Sequence, residues 1–378
     1  MKLTVIALML ALLGCQQNNQ NTQNIQNNQN SQNAQEDSIS LDDDIGEMLL
    51  VGFRGTTIDS TNHIWRDLTH FRVGSVILFD YDAASGRRGR NIASPQQVQE
   101  LCHQLLQLNP DLLIGIDQEG GRVSRLHSRY GFPAIASAKQ SALVGNDSVR
   151  SCARLTARML REAGINLNFA PVADVDVNPE CPVIGKMERT FSASDEQVAS
   201  CCRIWIEEQG RQGVVSCMKH FPGHGSATGD THKGLVDVSD TWQRRELTPY
   251  RQLVDEVPMI MTAHVVNRQL DPSGLPASLS PRITAYLRDT LGFQGVIVTD
   301  DMAMGAIVNE YSYAAAVRMA LEAGADLLCL SNNGGSYNPE LVPMTVRIIK
   351  QLVIDGTVSA ERLHTSATRI RTLKATLK

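Results

Sequence analysis

The sequence holds no run of lysines or arginines, and its formal net charge of -5 leaves no basic footprint. Nucleic acid is therefore not expected as a partner. Its eight cysteines give neither a disulfide framework nor a metal site: with Cys15 set aside, the seven at positions 102, 152, 181, 201, 202, 217 and 329 are odd in number and lack metal-ligand spacing. A buried free thiol is the ordinary reading of several of them. No glycine-rich phosphate fingerprint follows the first strand-like run, which argues against a doubly wound dinucleotide-binding sheet. The apolar run at the amino end, Leu3 to Leu13, is too short to span a bilayer.

That run is the right size for an export signal behind Lys2. It ends Leu12-Leu13-Gly14-Cys15, which resembles the bacterial lipobox, so residues 1–14 are expected to be a lipoprotein signal peptide and Cys15 the lipidated residue. Glutamine at 16 and 17, rather than aspartate, favours the outer membrane. An asparagine- and glutamine-rich tract follows, and residues 15–40 are expected to form a disordered tether, since they have too little apolar surface to repay ordering.

From Leu41 to the end at Lys378 short apolar runs alternate with amphipathic segments, the pattern of repeated β-α units. Eight strands are predicted: Glu47 to Gly52, Ser75 to Phe79, Leu112 to Asp117, Asn166 to Val172, Val214 to Lys219, Met259 to His264, Val296 to Asp300 and Asp326 to Leu330. Helices are predicted over Gln96 to Leu108, Ser148 to Ala163, Glu196 to Gln212 and Ala314 to Ala323. Eight units predict an α/β fold, a single-domain (β/α)8 TIM barrel over 41–378.

In such a barrel, polar residues at the carboxyl ends of the strands are site candidates. Asp117 ends strand three, Lys219 and His220 end strand five, His264 ends strand six, and Asp300 with Asp301 ends strand seven. The densest segment is Lys219 to Lys233, reading KHFPGHGSATGDTHK, a loop anchored at a rigid strand end. Asp230 and His232 stand two apart and can form a dyad in which the carboxylate fixes the imidazole tautomer. Alternatively Asp230 caps a turn and His232 is solvated. Asp300 tops an apolar strand, rigidly held, and spacing alone leaves a nucleophile and a helix cap equally open. A retaining glycosidase needs one carboxylate to attack the anomeric carbon and a second group to protonate the leaving oxygen.

KHFPGHG followed by Asp230-Thr231-His232, together with TDDMAM at 299–304, IDQEGGRVSR at 116–125 and Glu188-Arg189-Thr190-Phe191, resembles glycoside hydrolase family 3, specifically its β-N-acetylhexosaminidase branch. The resemblance implies a metal-free, cofactor-free, retaining mechanism. Asp300 would form the glycosyl-enzyme intermediate, with Asp301 a neighbour, and His232 paired with Asp230 would be the proton donor. Asp117, Arg125, Arg189, Lys219 and His220 would bind the hydroxyls and acetamido group of an N-acetylglucosamine-containing oligosaccharide. His224 reads as a loop-forming residue and His264 is unassigned. Asp174, Asp176 and Asn178 fit an internal polar network holding the Arg189 loop. The chain ends soon after the eighth unit, leaving no room for the second domain that supplies the acid in many β-glucosidases of the family.

The expected substrates are extracytoplasmic: peptidoglycan fragments, chitin oligomers or host glycans. Three alternatives remain at this stage. One is a phosphorylase of the same family, since a histidine donor spares phosphate the repulsion of a carboxylate. The others are a catalytically silent glycan-binding lipoprotein and a metal-dependent hydrolase using His220, His224, Asp230 and His232.

Overall fold

The computed structural model describes residues 40–377. The signal peptide, Cys15 and, apart from Ser40, the tether lie outside the described residues. Eight parallel strands form one sheet: β1 (Leu49–Gly52), β2 (Ser75–Leu78), β3 (Leu113–Ile116), β4 (Leu167–Asn168), β5 (Val215–Phe221), β6 (Met259–Thr262), β7 (Val296–Thr299) and β8 (Leu328–Leu330). They pair in the order β7-β6-β5-β4-β3-β2-β1-β8, and a Val298–Leu327 bridge brings the two ends of the sheet together. The result is the α/β barrel that the eight repeated units predicted.

Every residue of these eight strands is buried, which is why the runs read as mostly apolar. Along β6, Met259 and Met261 pack in one core cluster with Cys217, Val296 and Val298, while the intervening Ile260 joins another with Met218 and Ile297. That alternation is the period-two signature of strands that fill the barrel on one face and meet helices on the other.

The helices start and stop where the sequence marks them. Ser94 caps Pro95–Leu108 by accepting from the Gln97 N–H, and Pro95 occupies the first turn, where its missing N–H costs nothing. Ser194 and Ser312 do the same for Asp195–Gly210 and Tyr313–Ala323. Asn146–Ala163 ends on Gly164 at φ 81°, a left-handed closure that glycine adopts without a Cβ clash.

Most strand ends shift by one or two residues from expectation, and two carboxyl ends bear on the site. β4 ends at Asn168, although Cys217 and Lys219 of β5 still donate to the carbonyls of Ala170 and Pro171, and Val172 bridges Lys219; Pro171 itself has no N–H to give the ladder. β5 runs on to Phe221, carrying Lys219 and His220 inside the strand and not at its tip.

Candidate active site

The carboxyl ends of the strands converge on a cavity of about 550 Å³. Asp117, just past β3, accepts from Lys219 Nζ at 2.7 Å and from Arg125 Nη2 at 3.4 Å. Glu119, two residues on, accepts from the same Lys219 Nζ at 2.7 Å and takes a two-pronged ion pair from Arg189, 2.8 Å at each oxygen. Burial pushes the Glu119 carboxyl up, but Arg189 and Lys219 outweigh it and hold the group down at about 2. Burial likewise works against the charges on Asp117 and Lys219, and their mutual attraction prevails in both. The floor is thus a paired network of carboxylates and cations, rigid at neutral pH and rich in polar atoms.

His220, from β5, points its Nδ1 at Asp174 Oδ2, 2.6 Å away. A carboxylate can only accept, so Nδ1 carries the hydrogen and Nε2 offers a lone pair to Arg189 Nη2 at 3.4 Å. Asp174 is fully buried and also accepts the backbone N–H groups of His220 and His224. The sequence reading put Asp174 and Asn178 with the Arg189 loop; in the fold they hold the loop after β5 instead, Asn178 through Gly225 O and Ala227 O. Of the three, Asp176 keeps the assigned place, accepting from Lys139 Nζ at 3.4 Å and giving its N–H to Ser192 O.

The Asp230–His232 dyad is formed. Asp230 Oδ1 accepts both the His232 backbone N–H at 2.9 Å and the ring Nδ1 at 2.8 Å, so turn cap and dyad coexist. Burial would raise the Asp230 carboxyl, but its bonds to His232 keep it below its ordinary value. The His232 side chain is 63% exposed. With Nδ1–H committed to Asp230, its Nε2 is the nitrogen free to exchange a proton. Thr231 links this flap to His224, whose Nε2 lies 3.2 Å from Thr231 Oγ1. Burial, helped by His220 nearby, depresses His224 to about 4 and leaves it neutral. It acts as an internal strut.

The flap rests on the segment that follows β7. Gly305 N–H and Ala306 N–H donate to the carbonyls of His232 and Thr231 at 3.2 and 3.0 Å, and Asn309 Nδ2 donates to Lys233 O at 3.0 Å. A Cβ on Gly305 would meet the His232 carbonyl oxygen at 2.6 Å, so only glycine allows this contact. His232 and Asp300 therefore line one cavity. Asp300 sits directly past β7, its backbone N–H given to Thr262 O. Burial raises its carboxyl, but His264 and His220 beside it, with the Asp301 N–H, leave it below the usual carboxylate range and ionised at neutral pH.

Asp301 is turned away into a cap, accepting from the Ser331 and Ala303 N–H groups at 3.2 and 3.1 Å. His264 is fully buried beneath it, its Nε2 donating to Asp301 O at 2.9 Å and its Nδ1 accepting from Ser278 Oγ at 2.6 Å. Burial holds it neutral.

The sequence profile described as "Glycosyl hydrolase family 3 N terminal domain" matches residues 40–373. The chain belongs to glycosyl hydrolase family 3. It is 35% identical over 312 residues to a "Beta-hexosaminidase" of Alkalilimnicola ehrlichii, covering 79% of this chain and 83% of that one. A "Beta-hexosaminidase" of Pseudomonas aeruginosa is 34% identical over 275 residues, 71% of this chain and 78% of the relative. Among solved structures, a family 3 β-N-acetylglucosaminidase from Paenibacillus sp. superposes with a TM-score of 0.81 at 33% identity over 90% of this chain, although the chain spans only 63% of that protein. A β-N-acetylhexosaminidase from Beutenbergia cavernae gives 0.78 at 29% identity, over 89% of this chain and 99% of its own. The family 3 enzyme described here is accordingly a glycoside hydrolase, grouped with relatives that carry the β-hexosaminidase name.

Asp117, Arg125, Arg189, Lys219 and His220 all line the family 3 cavity with Asp230, His232 and Asp300. Glu119 and Asp174 were not singled out as site residues. Glu119 lay in the quoted 116–125 segment, and its signal was a second carboxylate two residues past Asp117, among three candidate cations, Arg125, Arg189 and Lys219, for which Asp117 alone had been offered beside them. Among the described residues no group of histidine, cysteine and acidic side chains has the arrangement of a metal site.

Proposed function

We propose that this enzyme is a retaining exo-β-N-acetylglucosaminidase that releases terminal β-linked N-acetylglucosamine from peptidoglycan fragments or chitin-like oligosaccharides. Asp300 attacks the anomeric carbon and forms a glycosyl-aspartate, while His232, oriented by Asp230, protonates the leaving oxygen and then takes a proton from the incoming water. The terminal sugar sits on the polar floor, its hydroxyls and acetamido group held by Asp117, Arg125, Lys219, Arg189 and His220. The observation that carries this reading is the shared cavity of an ionised Asp300 and a carboxylate-paired, solvent-accessible His232. We further propose that residues 1–14 export the chain and that Cys15 anchors it to a bacterial membrane, so that its glycan is met outside the cytoplasm.

The test is comparative kinetics. Wild type should hydrolyse a chromogenic N-acetyl-β-glucosaminide far faster than the matching β-glucoside. Asp300→Asn should lose at least about 10³-fold in kcat on every substrate. His232→Ala should lose about 10²-fold or more on a disaccharide, yet little on an aryl glycoside whose leaving group needs no proton. An equal loss on both substrates would remove the acid role from His232. Release of the sugar as its 1-phosphate in phosphate buffer would identify a phosphorylase.

A further inference from the structure

The loop that carries the dyad stands on the chain segment 242–250. Trp242 Nε1 donates to Pro222 O at 3.0 Å, and four residues on the fully buried Glu246 packs against Gly223. Gly223 has φ 123°, and a Cβ there would meet Glu246 Cβ at 2.7 Å and Oε2 at 2.8 Å, so loop and acid fit together without slack.

Glu246 Oε1 accepts the Gln243 N–H at 3.0 Å, but Oε2 has no hydrogen-bond partner among the described residues. The same is true of Ser226 Oγ and His224 Nδ1 in the loop above it and of Tyr250 OH four residues further along its own segment, all three buried. Buried polar atoms are nearly always satisfied, so a cluster of four marks a place where the charge state of the acid matters. A carboxylate can only accept. A neutral carboxyl can keep the Gln243 N–H on one oxygen and donate from the other to Ser226 Oγ.

Among the described residues no cation pairs with Glu246. His224 is neutral, Arg245 on the same turn is bonded to the Gln243 side chain and the Ala193 carbonyl, and Arg244 is exposed. Asp174, behind the loop, is held ionised and repels a second anion, while burial keeps the Tyr250 phenol protonated. Burial pushes the Glu246 carboxyl up to about 7, opposed by the Gln243 N–H and Ser226 and aided by Asp174.

We propose that Glu246 is a positioning residue for the proton donor: neutral, it bonds Ser226 and keeps the base of the loop closed, and on ionising in alkaline solution it frees the loop and withdraws the Asp230–His232 dyad from the cavity. The consequence for turnover rests on the glucosaminidase reading; the consequence for the loop does not. The closed loop keeps a proton that an opened, wetted Glu246 releases from its ordinary value of 4.5, so closure weakens as pH rises. Between pH 5.5 and 8.5 opening becomes easier by about 30-fold.

The experiment measures amide hydrogen exchange in the full chain at pH 5.5 and 8.5, corrected for the intrinsic rate, beside kcat/KM on a β-linked N-acetylglucosamine disaccharide. In wild type, protection of the amides at 223–232 should fall by about ten- to thirtyfold between the two pH values while that of β5 to β7 holds. Glu246→Gln accepts on its oxygen and donates from its NH2 at every pH, so its loop protection should stay level. The ratio of variant to wild-type kcat/KM, in which the dyad's own titration cancels, should rise from about one at pH 5.5 to about tenfold at pH 8.5. Level protection in wild type overturns the inference whether or not the variant folds, and so does a kcat/KM ratio that is flat with pH. Failure of wild type to cleave any N-acetylglucosaminide removes the glucosaminidase reading, and the exchange result then still decides whether Glu246 governs the loop.

Discussion

Asp174 does not line the cavity, yet it fixes the proton on His220. One of its oxygens serves two backbone N–H groups, so in Asp174→Asn the amide oxygen is expected to keep those bonds and turn the NH2 toward the ring. His220 Nδ1 then has to accept, the hydrogen moves to Nε2, and Nε2–H faces the Arg189 guanidinium donor to donor. We expect about a 10²-fold loss in kcat/KM with the fold retained, together with a reversed His220 tautomer in the ring-nitrogen NMR shifts. A variant with normal tautomer and normal kinetics would show that Asp174 only packs.

Among elements, the loop after β5 binds the chemistry to the scaffold. Gly305→Ala would drive a methyl group into the His232 carbonyl. The expected result is a folded protein with kcat on disaccharides reduced at least tenfold, measured beside an unchanged melting profile. Beneath the same loop lies Glu246, fully buried, with one oxygen accepting the Gln243 N–H and its Cβ packed against Gly223. Burial pushes its carboxyl up to about 7. Between pH 4.5 and 7 the folded protein keeps a proton that the unfolded chain has released, so stability falls as pH rises through that window. The span corresponds to roughly 3 kcal/mol. Glu246→Gln should match wild type in thermal unfolding near pH 4.5 and melt higher than wild type at pH 8. A wild-type melting temperature that does not fall relative to the variant across that range would refute the buried neutral acid.

The reach of the sequence follows the same scale. The eight strands were legible because burial on both faces makes a strand a largely apolar run, and serine caps marked several of the helices. Lys219, His220, Asp300 and the Asp230–His232 dyad were legible because each sits at a strand end or within one short motif. Glu119 and Asp174 were not, because their meaning lies in partners 70 and 46 residues away, Arg189 and His220, which only the closed barrel brings near. His264 read as a strand-end candidate, but its two hydrogen bonds are spent on Ser278 and the Asp301 carbonyl, contacts with no local signature.

For the barrel as a whole, the backbone bonds that close the ring between β7 and β8 are reinforced by a buried acid at the seam. Asp326, just before β8, accepts the Ile297 N–H of β7 at 2.9 Å and Arg369 of the last helix at 3.1 Å, and also pairs with Arg288 and Ser366. Asp326→Ala would strand two guanidiniums and a strand N–H together. The expected cost is about 3 kcal/mol or more, read as a lower denaturant midpoint, with the polar floor on the far side of the barrel untouched.

The flap's attachment to the segment after β7 is made by carbonyl oxygens of Thr231, His232 and Lys233, which every amino acid possesses. Beyond Lys233, whose Nζ lies 3.9 Å from Asp230 Oδ2, the residues at 234 and 235 are consequently released from holding the dyad in place. Descendants of this enzyme can exchange them to greet new glycans while inheriting the same proton donor in the same position.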